Sequence, residues 1–272
     1  MNMLDYAIKA TTEYINHMPK SQRKKYGQFF TSKETAIFMA GLFQIPNGRH
    51  VLSVLDPGAG SGILSIALLE HLQVFPELKE IRLVCYENDP NIMELLHSNL
   101  NTACSLSQKK ISYEIVPDNY ILSQVADYNQ MLGANLNPSK FDIIIGNPPY
   151  MKIAKDAPEA LAMPDVCYGA PNLYFLFASM SMFNLRDSGE LVYIIPRSWT
   201  SGAYFKRFRQ KFLSEGVLEH IHLFVSRNKV FEKESVLQET IIIKLRKTRS
   251  KPKTVTITAT QSNADFSQRT IF

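Results

Sequence analysis

The chain has 272 residues, 45% of them apolar, which suffices for one large α/β domain or one domain with a small appendage. No run of eighteen apolar residues and no signal-peptide pattern occurs, so a membrane-spanning helix is excluded and a soluble, cytoplasmic protein is expected. The formal net charge of +5 favours an anionic partner, and three scattered cysteines without a CxxC pair speak against a disulfide framework or a thiolate zinc site.

Residues 2–18 carry helical periodicity, with Leu4, Ile8, Tyr14, Ile15 and Met18 on one stripe. A second helix is predicted over 33–43, with Thr31 or Ser32 as N-cap. After Pro46-Asn47-Gly48 short apolar runs alternate with helical stretches. The runs are Val51–Leu55, Ile81–Tyr86, Ile111–Val116, Phe141–Ile145, Leu191–Ile195, His220–Val225 and Gln238–Leu245. Helices are predicted over 62–73, 90–101, 172–185 and 203–213. Such alternation implies a mainly parallel sheet covered on both faces. Polar stretches at 123–140 and 151–171 fall beside strand ends, where open α/β sheets place their ligand crevice. A further alternating run, Thr254–Thr258, precedes a polar tail. The expected organisation is an N-terminal helical segment (1–45), a main α/β domain (46–250) and a C-terminal strand and tail (251–272).

Basic residues cluster at Lys20, Arg23, Lys24 and Lys25, at Lys206, Arg207, Arg209 and Lys211, and from Lys244 through Arg246, Lys247 and Arg249 to Lys251 and Lys253. Singly each reads as a solvated face; together they suggest a phosphate-binding surface.

The first strand runs into Asp56-Pro57-Gly58-Ala59-Gly60-Ser61-Gly62 ahead of a helix. Glycines there let the backbone turn sharply and approach a ligand. The spacing is not the dinucleotide fingerprint, because Ile63 stands where a glycine is needed, and no Walker lysine follows. Glu87 and Asn88 end the second strand, where a carboxylate can accept from ribose hydroxyls; Asn88 or Asp89 can also cap the helix opening at Pro90. Asp118 and Asn119 follow the third strand, with Asp118 placed to accept from an adenine amino group. The sharpest signal is Asn147-Pro148-Pro149-Tyr150 directly after the apolar run Phe141–Ile145. The prolines restrict Asn147 to an extended shape. Its side-chain oxygen and the Pro148 carbonyl can then accept both hydrogens of one planar amino group. Tyr150 offers a ring face for stacking a base, worth about 1–3 kcal/mol. No metal site is expected: His220 and His222 share a strand face without a third ligand at suitable spacing. Trp199 reads as packing.

The order Gly27-Gln28-Phe29-Phe30-Thr31, then the glycine loop, then the Asn-Pro-Pro-Tyr loop resembles the gamma-class adenine-specific (N6) DNA methyltransferases of restriction–modification systems. The resemblance covers residues from about 20 to 246. It implies a Rossmann-like class I S-adenosylmethionine-dependent methyltransferase fold, with a mixed, mostly parallel seven-stranded sheet and helices on both faces. It implies that Gln28, Phe29 and Thr31 grip the methionine end of S-adenosyl-L-methionine. Asp56, Gly58 and Gly60 match the glycine-loop positions, Glu87 with Asn88 the ribose site, and Asp118 with Asn119 the adenine site. Asn147 also borders the cofactor. Asn147, Pro148 and Tyr150 match the catalytic loop, and Phe231 the second aromatic wall of the base pocket. The family usually has an aromatic residue where Asn119 stands; here Tyr120 comes one later. The implied partners are double-stranded DNA, a separate or fused target-recognition domain and a restriction nuclease. The same loop also serves enzymes that methylate cytosine N4, RNA bases or protein glutamine, and a cofactor-binding subunit without activity is the alternative from another class.

Overall fold

The computed structural model describes residues 2–17, 19, 30–130, 140–169, 171–225, 239–250, 254–261 and 266–272. Helices α1 (Met3–His17) and α2 (Lys33–Ala40) precede β1 (Val51–Asp56). There follow α3 (Ile63–Leu72), β2 (Glu80–Tyr86), α4 (Pro90–Leu106), β3 (Lys110–Val116), α5 (Val125–Tyr128), β4 (Phe141–Gly146), α6 (Pro158–Ala162) and α7 (Leu173–Asn184). The chain continues with β5 (Leu185–Pro196), α8 (Lys206–Glu215), β6 (Val217–Phe224), β7 (Thr240–Arg246), β8 (Thr256–Thr260) and β9 (Thr270–Ile271).

Side-chain caps set several helix starts. Ser32, not Thr31, caps α2 by accepting from the Thr35 N–H at 3.3 Å. Asp89 accepts from the Asn91 N–H at 3.0 Å with Pro90 at the first helical position of α4. On α1 the buried stripe is Met3, Leu4, Ala7 and Thr11. Leu4 of the expected stripe is thus buried and Ile8 packs half-buried on the core, Tyr14 and Ile15 are half-buried, and the Leu4 N–H bonds Glu70 of α3 at 3.0 Å.

Among the described residues nine strands join one sheet in the order β3-β2-β1-β4-β5-β7-β6-β8-β9. These are the seven expected strands of the main domain, the expected C-terminal strand as β8 (Thr256–Thr260 against the run 254–258), and β9 at the edge. Strands β3, β2, β1, β4 and β5 are mutually parallel, and β7 is inserted antiparallel between β5 and β6. Two-residue alternation divides the core between the two faces. Leu52, Val54, Ile143, Ile145, Val192, Ile194 and Ile242 pack under α1 to α4. Leu55, Ile144, Leu191, Tyr193, Ile195, Ile241 and Ile243 pack under α7 and α8. Burial on both faces explains why these strands read as unbroken apolar runs.

The two strand histidines hold the sheet edge. Thr258 of β8 bonds His220 Nε2 and His222 Nδ1 at 2.8 Å each, and Thr260 reaches His222 Nε2 at 3.1 Å. Trp199 is packing, edge-on to Phe208 and Phe212. No described helix is long and apolar enough to cross a membrane.

Part of the described basic clusters is engaged within the fold, whereas Lys206 and Arg249 are exposed. Lys20 through Lys25, Lys251 and Lys253 lie outside the described residues. Arg207 donates to the carbonyls of Pro164 and Cys167, and Arg209 to those of Trp199, Ser201 and Gly202. Lys211 pairs with Asp165 and Glu215. Lys244 is buried against Glu190 at 3.1 Å, Arg246 pairs with Glu190 and Glu219, and Lys247 caps carbonyls at the end of α7. These cations bond carbonyls and carboxylates of the fold, only Glu190 among the carboxylates being enclosed, and proximity in sequence cannot distinguish that use from a surface patch.

Gly62 caps α3 at φ +84°, and a Cβ there would stand 2.9 Å from Leu96 of α4. Gly62→Ala should therefore lose about 2 kcal/mol of stability, from the left-handed backbone and the overpacking together. Urea unfolding would register this as a lower midpoint at unchanged slope; an unaltered midpoint would contradict it.

Candidate active site

Because β1 to β5 are parallel, their carboxyl ends share one edge of the sheet. The strand order reverses between β1 and β4, and a crevice opens there. It is a cavity of about 210 Å³. One side is the glycine loop after β1, another the Tyr86–Asp89 segment after β2, a third Asp118 to Tyr120 after β3, and the fourth the loop after β4.

Of the residues singled out in the sequence, Thr31, Gly58, Gly60, Glu87, Asn88, Asp118, Asn119 and Asn147 all line this one cavity. Gln28, Phe29 and Phe231 lie outside the described residues. Asp56 sits at the end of β1, fully buried behind the loop, and its Oδ2 accepts from the Ser65 hydroxyl at 2.7 Å. Glu87 ties the loop to β2: one oxygen accepts from the Gly60 N–H at 2.8 Å, the other from the Asp89 N–H at 2.9 Å. Gly60 has φ +56°, and a Cβ there would meet no atom within 4 Å, so it would project into open space at the cavity wall.

Asn119 borders the cavity, but its side chain is engaged in holding the fold. Its oxygen accepts from the N–H groups of Ile121 and Leu122 at 3.0 and 3.1 Å, and its Nδ2 donates to Glu159 of α6 at 2.8 Å. Tyr120 borders the cavity with very little of its surface. It is 2% exposed, with its hydroxyl among Ser181 and Asn184.

The loop after β4 alternates like a strand, as the prolines require. Asn147, Pro149 and Met151 face the cavity, whereas Pro148 and Tyr150 turn into the core. Tyr150 is 8% exposed and lies edge-on to Tyr174. Its hydroxyl is 2.7 Å from Asn147 Oδ1 and 2.9 Å from the Ile194 carbonyl. An open ring face for stacking, expected of Tyr150, is therefore replaced here by a buried hydroxyl bonded to the neighbouring amide. Burial, reinforced by Tyr174, pushes the Tyr150 hydroxyl well above the ordinary tyrosine range, so it stays protonated.

The cavity also takes in residues not singled out from the sequence. Tyr86 was legible as the aromatic neighbour of Glu87. Leu173 and Phe177 project from the first turns of α7 at a spacing of four, and Phe177 packs on Tyr120 with ring centroids 5.2 Å apart.

The family model for the Eco57I restriction-modification methylases matches residues 75–231 of this chain. The chain belongs to the Eco57I restriction-modification methylase family. It is 35% identical over 259 residues to the type II methyltransferase M.PstI of Providencia stuartii, covering 93% of this chain and 50% of that protein. To the type II methyltransferase M.BsuBI of Bacillus subtilis it is 35% identical over 238 residues, 86% of this chain and 46% of the relative. The chain thus spans about half the length of these relatives. Its fold matches a solved protein of Listeria monocytogenes assigned to the class I S-adenosylmethionine-dependent methyltransferases. The TM-score is 0.65 at 18% identity, covering 88% of this chain and 68% of that one. The fold is that of the class I enzymes, and membership of the Eco57I family makes S-adenosyl-L-methionine the cofactor.

The cavity fits that molecule. Among the described residues lining it are three carboxylates, Glu87, Asp89 and Asp118, and no lysine, arginine or histidine. Such a lining suits a cationic sulfonium nucleoside and repels the phosphates of a nucleotide. Apolar walls from Ile63, Leu64 and Phe177 and the open space at Gly60 accommodate its rings.

Burial raises the Asp56 carboxyl from its ordinary 3.8 to about 7, with the Ser65 hydrogen bond opposing. Between these values the folded chain holds a proton that the unfolded chain has released. Stability from this group is therefore complete below about pH 4 and is lost as pH rises through about 7. Asp56→Asn does not titrate, so the difference in Tm between Asp56→Asn and the parent chain should move in the variant's favour from pH 4.5 to 7.5. A difference that stays constant would show that Asp56 is ionised throughout.

Proposed function

We propose that this chain is the catalytic portion of a DNA adenine-N6 methyltransferase of a restriction–modification system, acting in the cytoplasm. The observation that carries the reading is Asn147, held by two prolines in an extended loop and facing, across from the glycine loop, a cavity in which the acidic lining residues Glu87, Asp89 and Asp118 have no cationic neighbour among the described lining residues. The relatives' names support modification of the restriction–modification kind. The amino group of adenine follows from the asparagine, since the related cytosine enzymes more often carry serine there.

In this reading Thr31, Gly58, Gly60, Glu87, Asn88 and Asp118 hold the cofactor, with Asp56 supporting the loop from below. S-adenosylmethionine supplies an electrophilic methyl group when bound, so the protein's task is alignment more than acid–base catalysis. The Asn147 amide oxygen and the Pro148 carbonyl accept the two amino hydrogens and aim the nitrogen into the cavity. An adenine in a duplex must first be turned out of the stack, at a cost of a few kcal/mol. Pro149 and Met151 supply the described surface beside it, with Phe231 proposed as the aromatic wall. Lys152 and Lys155 follow Met151 in the chain and Lys206 opens α8. All three are exposed and take no side-chain partner among the described residues. They are the cations proposed to meet DNA phosphates at the cavity mouth. A target-recognition domain and a restriction nuclease are the proposed associates.

Isothermal titration with S-adenosylmethionine, then a labelled-methyl assay on unmethylated DNA, tests the reading. Binding with label recovered as N6-methyladenine is expected, and label in cytosine or protein instead would overturn it. Asn147→Ala should abolish transfer while cofactor affinity changes less than about threefold; a large loss of affinity would make Asn147 a binding residue. Replacing Lys152 and Lys155 by alanine should lower the salt dependence of DNA binding by about two in the log–log slope. An unchanged slope would place the phosphates elsewhere.

A further inference from the structure

We infer that the Tyr14 hydroxyl of α1 is a cofactor-binding donor that bonds a ribose hydroxyl of bound S-adenosylmethionine; this rests on Glu87 holding the ribose within the cofactor site proposed above. Helix α1 carries none of the motifs that mark the cavity walls, yet its course brings Tyr14 to the cavity. The Leu4 N–H bonds Glu70 in the last turn of α3, and the Tyr6 hydroxyl lies 3.5 Å from Ser98 Oγ of α4. From there α1 runs towards the opening turns of both helices. About 12 Å further along its axis Tyr14 reaches the level of Pro90, where Asp89 caps α4 and lines the cavity.

Two features set this tyrosine apart from a packing residue. Its ring stands edge-on to Phe30, which lines the cavity beside Thr31, with ring centroids 6.4 Å apart. Its hydroxyl oxygen is closed off from solvent and has no hydrogen-bond partner among the described residues. A buried hydroxyl without a partner costs stability, and phenylalanine would make the same ring contact without that cost. Burial lifts the hydroxyl above the ordinary tyrosine range, and the negative charges of Asp89 and Glu87 lift it further. It therefore remains protonated, a donor held near two carboxylates.

The neighbouring groups select what it bonds. Glu87 accepts from the Gly60 N–H on one oxygen and the Asp89 N–H on the other, and each oxygen can accept once more. A ribose hydroxyl that donates there keeps its own lone pairs for a donor, which neither carboxylate can be. Tyr14 supplies that donor. The ligand's own carboxylate is the poorer partner, because Glu87 and Asp89 repel it.

Titration calorimetry of the whole chain with S-adenosylhomocysteine, the demethylated cofactor, and with its 2′-deoxy and 3′-deoxy forms tests the contact. Tyr14→Phe should bind S-adenosylhomocysteine roughly 3- to 10-fold more weakly than the unsubstituted chain. That difference should vanish with the deoxy form that lacks the contacted hydroxyl. Without ligand, the Tm of Tyr14→Phe should equal or exceed that of the unsubstituted chain, because an unpartnered polar atom has been removed. Tyr14→Leu, which also removes the ring against Phe30, should lower it. A lower unliganded Tm in Tyr14→Phe would make the hydroxyl a structural group and overturn the contact, as would an equal loss of affinity with both deoxy forms. If the unsubstituted chain binds all three ligands alike, the ribose role of Glu87 fails and the contact with it. If it discriminates among them and Tyr14→Phe binds each just as well, the contact alone fails.

Discussion

Strands β1 and β4 meet in parallel through Val54 opposite Ile143 and Leu55 opposite Ile144, and this short ladder governs where everything chemical can be. The chain runs outward from β1 through β2 to β3, then returns to lay β4 on the other side of β1. Parallel pairing puts the ends of all four strands on one edge. Asp56 and Gly146 therefore finish side by side, and the glycine loop and the Asn147 loop must face each other across the gap. The start of each loop is fixed, because the strand beneath it is paired on both sides and largely buried. Interchange of β4 with β3 would keep every local element and destroy the site.

Charge is arranged with the same economy. The crevice is lined by carboxylates, while at the opposite edge of the sheet Asp142 takes both Arg49 and Arg186 and also the Ser53 N–H. Glu190 there takes Lys244 and Arg246. The Lys244–Glu190 pair is almost fully enclosed, so it adds little net stability as a pair but would be costly to break from one side. The positive net charge is thus no measure of a positive surface. Several of the described cations in its clusters bond groups of the fold itself, and exposed ones include Lys206 and Arg249 of the clusters and Lys152 and Lys155 near Met151.

The sheet was legible because strands buried on both faces must be apolar along their whole length, and the glycine and proline loops because backbone geometry demands those residues. What was hidden depends on contacts distant in sequence. Strand β5 begins at Leu185 rather than Leu191 because Leu185 pairs with Phe141, although Arg186, Asp187 and Ser188 between them are exposed. Strand β8 is secured by threonines bonding two histidines, a pairing no periodicity announces. Asn119 was readable as a residue beside the crevice, but its use as a turn cap and as a link to Glu159 was not. Tyr150 is the most instructive case. Its ring suggested a stacking surface, whereas the two-residue alternation already present in the proline loop sends it inward.

That alternation has a chemical consequence. Asparagine does not titrate, and the hydroxyl beside it is held protonated by burial. The groups that orient the proposed amino acceptor are therefore indifferent to pH over the range in which proteins work. The groups that do respond lie beneath and beside the glycine loop. Burial raises the carboxyl of Asp56 and, in the same direction, that of Glu87, whose oxygens hold the Gly60 and Asp89 N–H groups. Protonating Glu87 weakens these charge-assisted bonds and removes a negative charge from the cavity wall. Acidification should thus loosen the grip on a cationic cofactor before it touches the geometry of transfer. In the proposed enzyme, pH dependence enters through cofactor binding, and the transfer step depends on alignment alone.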